Sequence, residues 1–292
     1  MVLFCSSVTL LAATEKCHIG INFDKSERMK YENSSAIIDP QSGITFLATV
    51  DKGTIARHKP SIVAEHCRSI PRCLRISLDP SRRGAEKNKI MYSFWSHYRD
   101  LPGGNNGRIR VGDGRFTKVS FSMKLGPEYS TPLNQMIHFQ IYQPHRKITP
   151  SFGRTVVPGG PIVSLRIVPV SRRRNKSPDI EEFVLAVRSP QAGRLIHFDA
   201  RDEGVLYRGE LIKGSWNSFA LVLKSLPSSG GVGGRIGFWL NGHKRFDRSV
   251  PWGFNPSIFP SSSNLGVELG SYRSADAKGH QTVYFDDVTI DR

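Results

Sequence analysis

Apolar and polar residues alternate along most of the chain with a period of two. In residues 118–125, the apolar side chains Val119, Phe121, Met123 and Leu125 are separated by polar ones. Successive side chains of a β-strand point to opposite faces, so this pattern predicts a strand with one buried face. The same alternation recurs in residues 74–78, 163–167, 219–223 and 236–240.

Clusters of Gly, Pro, Asn and Ser separate these runs, and Asn241-Gly242 directly after one of them is a strong signal for a β-hairpin. No long amphipathic helix is evident, although residues 60–70 have room for a short one. Many short strands with regular turn signals predict an all-β fold, either a sandwich or a jelly roll. Strand signals run from about residue 44 to 290 without a linker. We therefore expect one domain over residues 17–292.

The N-terminal residues 1–16 form an apolar stretch that contains Ala12 and Ala13. It resembles the apolar region and the small-residue end of a secretory signal, although it lacks a basic start. Cys67 and Cys73 flank a short loop that a disulfide could close, which would suit an exported protein. We therefore expect a secreted, extracellular protein.

The charge of the chain is strongly unbalanced. Among 292 residues there are 41 Lys and Arg against 25 Asp and Glu, a formal net charge of +16. Such a surface attracts polyanions. No apolar run approaches the ~18 residues of a membrane span, and no nucleic-acid-binding motif is present. On charge alone the candidate partners are nucleic acid, an anionic polysaccharide and an anionic membrane, and these two absences favour the polysaccharide over the other two. We expect no nucleic acid and no membrane as partner, and a monomeric protein.

Residues 136–142 form a candidate functional strand. The two-residue period places the apolar residues 137, 139 and 141 on one face and His138, Gln140 and Tyr142 on the other, about 7 Å apart. An imidazole, an amide and a phenol in one row can serve acid–base chemistry and anion stabilisation. A second segment, 266–273, places Glu268, Gly270 and Tyr272 on one face by the same rule.

Four segments of the C-terminal half carry a family resemblance: residues 214–219 (Gly-x-Trp), 234–242 (Trp-x-Asn-Gly), 269–273 (Gly-x-Tyr-Arg) and 283–288 (Tyr-x-Asp). Their order resembles the jelly-roll polysaccharide lyases of the heparin lyase I, glucuronan lyase and alginate lyase type. The resemblance spans roughly residues 74 to 290. It implies a concanavalin-like jelly-roll sandwich of two antiparallel sheets, whose concave sheet holds an extended sugar chain.

The resemblance also implies a reaction, the β-elimination of a uronic-acid polymer. Gln140 matches the amide of the family's Gln-x-His pair and would neutralise the uronate carboxylate, while Tyr142 stands in place of the His. The base would be His138, His97 or His145, and the acid Tyr142 or Tyr272. The family's strand-starting Tyr and its Lys two positions later are replaced by Gly266 and Glu268. The residues expected to be catalytic are Gln140, His138, Tyr142, His97 and Tyr272, and those expected to bind substrate are Arg273, Arg110, Arg108, Lys89 and His145.

Two other functions compete with this one. A glycoside hydrolase of similar fold needs paired carboxylates at the scissile bond, and the nearest acidic cluster, residues 179–182, begins in a loop. A non-catalytic carbohydrate-binding protein remains open, because a binder needs only aromatic and basic groups. No cofactor is expected; zinc is disfavoured because no Cys-x-x-Cys pair occurs, while Asp286 and Asp287 are candidate ligands for a structural calcium ion.

Overall fold

The structure is a computed structural model of the 292-residue chain. The residues that it describes are 18–21, 23, 27–31, 34–39, 44–50, 60–69, 71–80, 88–93, 109–110, 114–132, 136–144, 160–169, 177–191, 194–196, 204–226, 233–259, 261–273 and 279–291.

The described residues form β-strands joined by turns and bends. The strands are β1 (His18–Ile21), β2 (Glu27–Tyr31), β3 (Ser34–Asp39), β4 (Ile44–Val50), β5 (Ser61–Val63), β6 (Cys73–Leu78), β7 (Asn88–Ser93), β8 (Ile109–Arg110), β9 (Phe116–Leu125), β10 (Met136–Gln143), β11 (Gly160–Val168), β12 (Ile180–Val187), β13 (Ser189–Gln191), β14 (Arg194–Ile196), β15 (Val205–Ile212), β16 (Trp216–Leu226), β17 (Gly233–Leu240), β18 (His243–Ser249), β19 (Asn264–Arg273) and β20 (Gln281–Asp291). None of the described segments is a helix with the length and hydrophobicity needed to cross a membrane.

Apart from β13 and β14, which pair only with each other, the strands build two antiparallel sheets that pack as a jelly-roll sandwich. The smaller sheet has the order β18-β17-β16-β9-β20-β6-β5, with β1 also paired to β20. The larger sheet has the order β15-β12-β11-β10-β19-β7-β4-β3-β2, with β8 also paired to β19. Neighbours in the sheets are often far apart in sequence, as β10 and β19 are. The prediction of an all-β jelly roll of two antiparallel sheets is confirmed.

The core lies between the two sheets and consists of the apolar positions that alternate in the sequence. Phe121 of β9 stacks on Phe219 of the neighbouring β16, with 5.1 Å between ring centroids, and on Phe139 of the opposite sheet at 5.2 Å. All three side chains are buried. The alternating apolar residues of β6, β9, β11, β16 and β17 belong to this core, so their predicted strand faces are confirmed.

Two local predictions have clear outcomes. Asn241 and Gly242 form the turn between β17 and β18 with φ values of 52° and 78°, and this turn requires positive φ at both positions. The Asn-Gly hairpin is therefore confirmed. The short helix considered for residues 60–70 is wrong: residues 61–63 form β5, and the bends that follow are closed by a disulfide between Cys67 and Cys73.

The pairing of β10 with β19 determines where the candidate residues meet. These strands are distant in sequence but adjacent in the middle of the larger sheet, with Gln140 opposite Glu268 and Ile137 opposite Tyr272. On the other side of β19, Lys89 of β7 lies opposite Tyr272. The side chains that alternate with the core residues of these strands share the outer face of the larger sheet.

Candidate functional site

A cluster of polar and aromatic side chains occupies the outer face of the larger sheet, where β7, β19, β10 and β11 lie side by side. Core residues such as Ile90, Phe139, Leu165 and Leu269 point to the opposite side of the same strands. We call this group the β10/β19 cluster, and its members are Lys89, Gln140, Tyr142, Arg166, Glu268 and Tyr272.

An amide, a carboxylate and an ammonium form the centre of the β10/β19 cluster. The Gln140 Nε2 donates a hydrogen bond to Oε2 of Glu268, and Nζ of Lys89 lies 3.5 Å from the same oxygen. Gln140 is 1 % exposed and Glu268 2 %, so both lie on the floor of this face. The bond to Glu268 orients the amide, because a carboxylate accepts and only the nitrogen of the amide can donate. No described residue donates to Oε1 of Gln140.

Two tyrosines flank the ammonium of Lys89. Its Nζ lies 5.5 Å from the ring centroid of Tyr142 and 5.8 Å from that of Tyr272, within the range of cation–π attraction. Both tyrosines are partly exposed. Burial above all, followed by the charges of Glu268 and Tyr272, raises the pKa of Tyr142. The Tyr142 phenol therefore keeps its proton at neutral pH, which suits a proton donor rather than a base.

Arg166 adds a second cation to the β10/β19 cluster. Its Nε donates to Oγ of Ser164 at 2.7 Å, and the side chain is 8 % exposed. Burial, with a smaller contribution from Arg188, lowers the pKa of Arg166 to about 10, and the neighbouring Tyr272 opposes this shift. The guanidinium therefore stays charged at neutral pH. Lys89 and Arg166 approach Tyr272 from the strands on either side of the β19–β10 pair, so the face carries two fixed positive charges.

Sequence reasoning did not select Arg166 or Glu268 as site residues. The signal for Arg166 is present, because Ser164 and Arg166 are the polar positions of an otherwise apolar strand that is paired on both sides. A charged residue at an alternate position of such a strand marks its non-core face. The two-residue period places Glu268 on a face with Tyr272, but its contact with Gln140 depends on the register between β10 and β19.

The prediction that His138 shares a face with Gln140 and Tyr142 is wrong. The pairing of β10 shifts register between Ile137 and Phe139, and such a bulge turns the intervening side chain out of the regular alternation. His138 is fully buried, with its ring 6.5 Å from that of Phe285 in the opposite sheet. It therefore belongs to the core side of the larger sheet.

The hydrogen bonds of His138 account for its protonation state. Nδ1 donates to the carbonyl oxygen of Gly270 at 2.9 Å, and Nε2 accepts from the hydroxyl of Tyr129 at 3.0 Å. Burial lowers the pKa of His138 from 6.5 to about 4, partly opposed by the bond to Gly270. A neutral, enclosed imidazole with both nitrogens engaged cannot reach a polymer on the outer face. His138 is accordingly not the base expected from the sequence.

Arg273 also lies away from the β10/β19 cluster. It follows Tyr272 in β19, so its side chain takes the opposite direction and is 1 % exposed. Its guanidinium donates to the backbone oxygen of Asp79 and to Oε1 of Gln281. The prediction that Arg273 binds substrate is therefore wrong, because the group is enclosed in the sandwich and bonded there.

The remaining predicted site residues have no described side chain. His97, Arg108 and His145 lie outside the described residues. Arg110 forms β8 and its backbone lies opposite Asn264, but its side chain is not described. Of the ten predicted residues, the structure brings Gln140, Tyr142, Tyr272 and Lys89 together.

The candidate calcium ligands Asp286 and Asp287 bind groups of the disulfide loop. Oδ2 of Asp286 accepts from the backbone N–H groups of Arg68 and Ser69 at 3.2 and 2.9 Å, and from the Ser69 hydroxyl at 2.8 Å. Asp287 accepts from Ser69 and Ser122 at 3.2 and 3.1 Å. No group of three or more His, Cys, Asp or Glu side chains that could hold a metal ion occurs within the described part of the chain.

The fold is similar to that of solved polysaccharide lyases. The endo-β-1,4-glucuronan lyase of the fungus Trichoderma reesei has a TM-score of 0.52 and 12 % identity, over 83 % of this chain and 89 % of that one. An alginate lyase in complex with alginate trisaccharide has a TM-score of 0.49 and 12 % identity, over 94 % and 97 %. A marine alginate lyase of Zobellia galactanivorans has a TM-score of 0.45 and 11 % identity, over 92 % and 96 %.

The glucuronan lyase comparison shows that the chain has a jelly-roll fold of the polysaccharide-lyase type. The resemblance inferred from the motifs between residues 214 and 288 is thus confirmed for the fold. No family model matches the chain, and no curated protein matches its sequence.

Proposed function

We propose that this protein is a secreted polysaccharide lyase that cleaves a uronic-acid-containing polysaccharide by β-elimination. The observation that carries the proposal is the β10/β19 cluster, which combines an oriented amide, two phenols and two cations on one face of a lyase-type jelly roll. The net charge of +16 supports it, since a polyuronate would be concentrated at such a surface.

The reaction needs three groups, and the β10/β19 cluster offers a residue for each. Removal of the C5 proton of a uronate creates negative charge that spreads into the carboxylate, so a donor must stabilise that carboxylate. The Gln140 amide has two N–H bonds, one of which is held by Glu268, and the other would donate to the uronate.

Proton transfer falls to the tyrosines and to histidines outside the described residues. Tyr142 keeps its proton through its raised pKa and would protonate the leaving O4 atom as the C4–O4 bond breaks. Tyr272, His97 or His145 would take the C5 proton, whose electron pair forms the C4–C5 double bond. Lys89 and Arg166 would bind the carboxylates of flanking uronates.

The experiment is to mix the protein with glucuronan, alginate, heparin-type and chondroitin-type chains and to follow ultraviolet absorbance. Elimination creates a C4–C5 double bond conjugated with the carboxylate, and hydrolysis does not. With an active polymer, Gln140→Ala should lose about 100- to 1000-fold in kcat, as expected when one donor to a developing anion is removed, and KM should change little.

Single-hydroxyl variants test the tyrosines. Tyr142→Phe and Tyr272→Phe each delete one hydroxyl. Tyr142→Phe, which removes the proposed proton donor, should lose most of kcat while it still binds polymer. Tyr207→Phe is the matched control, because Tyr207 packs against Phe183 and Phe238 on the core side of β15. Equal activity of the wild type and both cluster variants would contradict the assigned roles.

One observation favours a second function, a non-catalytic protein that binds anionic polysaccharide. Glu268 places a carboxylate next to the amide that should receive the uronate carboxylate, and like charges repel. Polymer binding without any rise in ultraviolet absorbance across the panel would establish this alternative. Any unsaturated product would exclude it.

A further inference from the structure

A groove of about 880 Å³ crosses the outer face of the smaller sheet, on the opposite side of the sandwich from the β10/β19 cluster. Its floor consists of small outward-facing residues of β9 and β16, including Ser120, Ser218 and Ala220. Two tryptophans also line it, Trp216 of β16 and Trp239 of β17. We call this feature the Trp216/Trp239 groove.

The two indoles face outward because their neighbours along the strands face the core. Phe219 and Phe238 are buried between the sheets, so residues 216 and 239 fall on the other side of β16 and β17. The register places Trp239 opposite Ala220, four residues along β16 from Trp216. Strand geometry therefore separates the two indoles by about 14 Å, enough for a short stretch of sugar chain.

Each indole has an ammonium beside it. The Nζ of Lys124 lies 5.0 Å from the ring centroid of Trp216, and that of Lys244 lies 5.9 Å from that of Trp239. A partly exposed indole offers a large, rigid apolar surface, which matches the C–H face of a pyranose ring. Lys124 is buried and donates to the carbonyl oxygen of His66, so it holds Trp216 in place. Lys244 is exposed beside Trp239 and complements a carboxylate on the same sugar, so this pair favours uronic acids over neutral sugars.

Arg68 forms part of the groove wall and is held in place. The Cys67–Cys73 disulfide closes the loop that carries it, and the Asp286 carboxylate accepts from its backbone N–H at 3.2 Å. Its guanidinium donates to the hydroxyl of Ser218 on the groove floor and lies 3.7 Å from Asp287. Because these contacts fix Arg68 before any ligand arrives, binding there would lose little conformational entropy.

We propose that the Trp216/Trp239 groove is a second polysaccharide-binding site, which holds a uronic-acid chain by stacking and charge without cleaving it. The ligand class rests on the proposed function, whereas the groove itself does not. Such a site would keep a long polymer attached to the protein between cleavage events. Short oligosaccharides that fill only the β10/β19 cluster would not reach the groove, so it would not strengthen their binding.

The test is affinity electrophoresis in gels that contain each polysaccharide of the panel. Trp239→Ala and Lys244→Glu should each weaken retardation about tenfold, the loss expected when one anchor of a binding site is removed. Gln140→Ala should still be retarded, because its groove is intact and binds the polymer. The matched control is Phe116→Ala, which removes an aromatic ring that is 48 % exposed on the same sheet and does not line the groove.

Lys244→Glu reverses a charge on an exposed residue and leaves Trp239 in place, so it tests the groove even if Trp239→Ala fails to fold. The proposal that the groove binds polysaccharide would be overturned if both groove variants were retarded as strongly as the wild type. It would also be overturned if no polymer retarded the wild type. If unsaturated product forms and the groove variants are retarded like the wild type, the lyase proposal is supported and the groove proposal is rejected. Weakened retardation without any product would retain the groove and reject the lyase.

Discussion

Acid should destabilise this protein through His138, the imidazole that the bulge in β10 turns into the core. Its pKa falls from 6.5 in the unfolded chain to about 4 in the folded protein, because burial penalises the charged ring. Between these values the unfolded chain binds the extra proton and the folded protein does not. The stability contributed by the neutral ring is therefore complete above pH 6.5 and is lost as the pH falls toward 4.

The size of this effect follows from the difference between the two pKa values. At 1.36 kcal/mol for each pKa unit, His138 should lower the free energy of unfolding by about 3 kcal/mol between pH 7 and pH 4. His138→Gln removes the titrating ring and keeps a polar side chain. The stability difference between the wild type and this variant should therefore shrink by about 3 kcal/mol over the same interval, whatever its value at pH 7.

The measurement is urea unfolding of both proteins at several pH values from 7 to 4, followed by tryptophan fluorescence. His243→Gln is the control, because His243 is exposed at the β17–β18 turn. This variant shows how the loss of a surface imidazole changes the free energy of unfolding as a function of pH. A stability difference between the wild type and His138→Gln that is independent of pH would refute the reasoning. It would mean that the pKa of His138 is the same in the folded protein and in the unfolded chain.

The remaining predictions concern stability and are read from the same unfolding assay. The double variant Cys67→Ala/Cys73→Ala should lower the free energy of unfolding by about 2 kcal/mol, because the disulfide restrains a short loop of the unfolded chain; equal stability with and without the bond would contradict this. Gly234→Ala should lower it by about 1–3 kcal/mol, since a Cβ atom there would clash with Nε1 of the buried Trp252. An unchanged transition midpoint for Gly234→Ala would show that Trp252 can move aside.

The arrangement of the two faces explains why the lyase and the binding proposals can be separated by mutation. The β10/β19 cluster belongs to the larger sheet and the Trp216/Trp239 groove to the smaller one, and the hydrophobic core lies between them. Substitutions on one face remove no contact on the other. Their effects should therefore add, and a double variant tests this directly.

The sequence by itself determined the strands with a clear apolar–polar alternation, their buried faces and the hairpin at Asn241. These features depend on local rules, namely the two-residue period of a strand and the positive φ that an Asn-Gly turn adopts. The outward direction of Gln140, Tyr142 and Tyr272 follows from the same period, so those parts of the site could be read from the sequence.

Only the tertiary structure decided which side chains meet and where the period breaks. The bulge between Ile137 and Phe139 arises from the pairing of β10 with both of its neighbours, and it moves His138 into the core against a sequence pattern that placed it beside Gln140. Contacts of Gln140 with Glu268 and of Tyr272 with Lys89 join strands far apart in the chain. Register between distant strands is set by the packing of whole sheets, which no local pattern encodes.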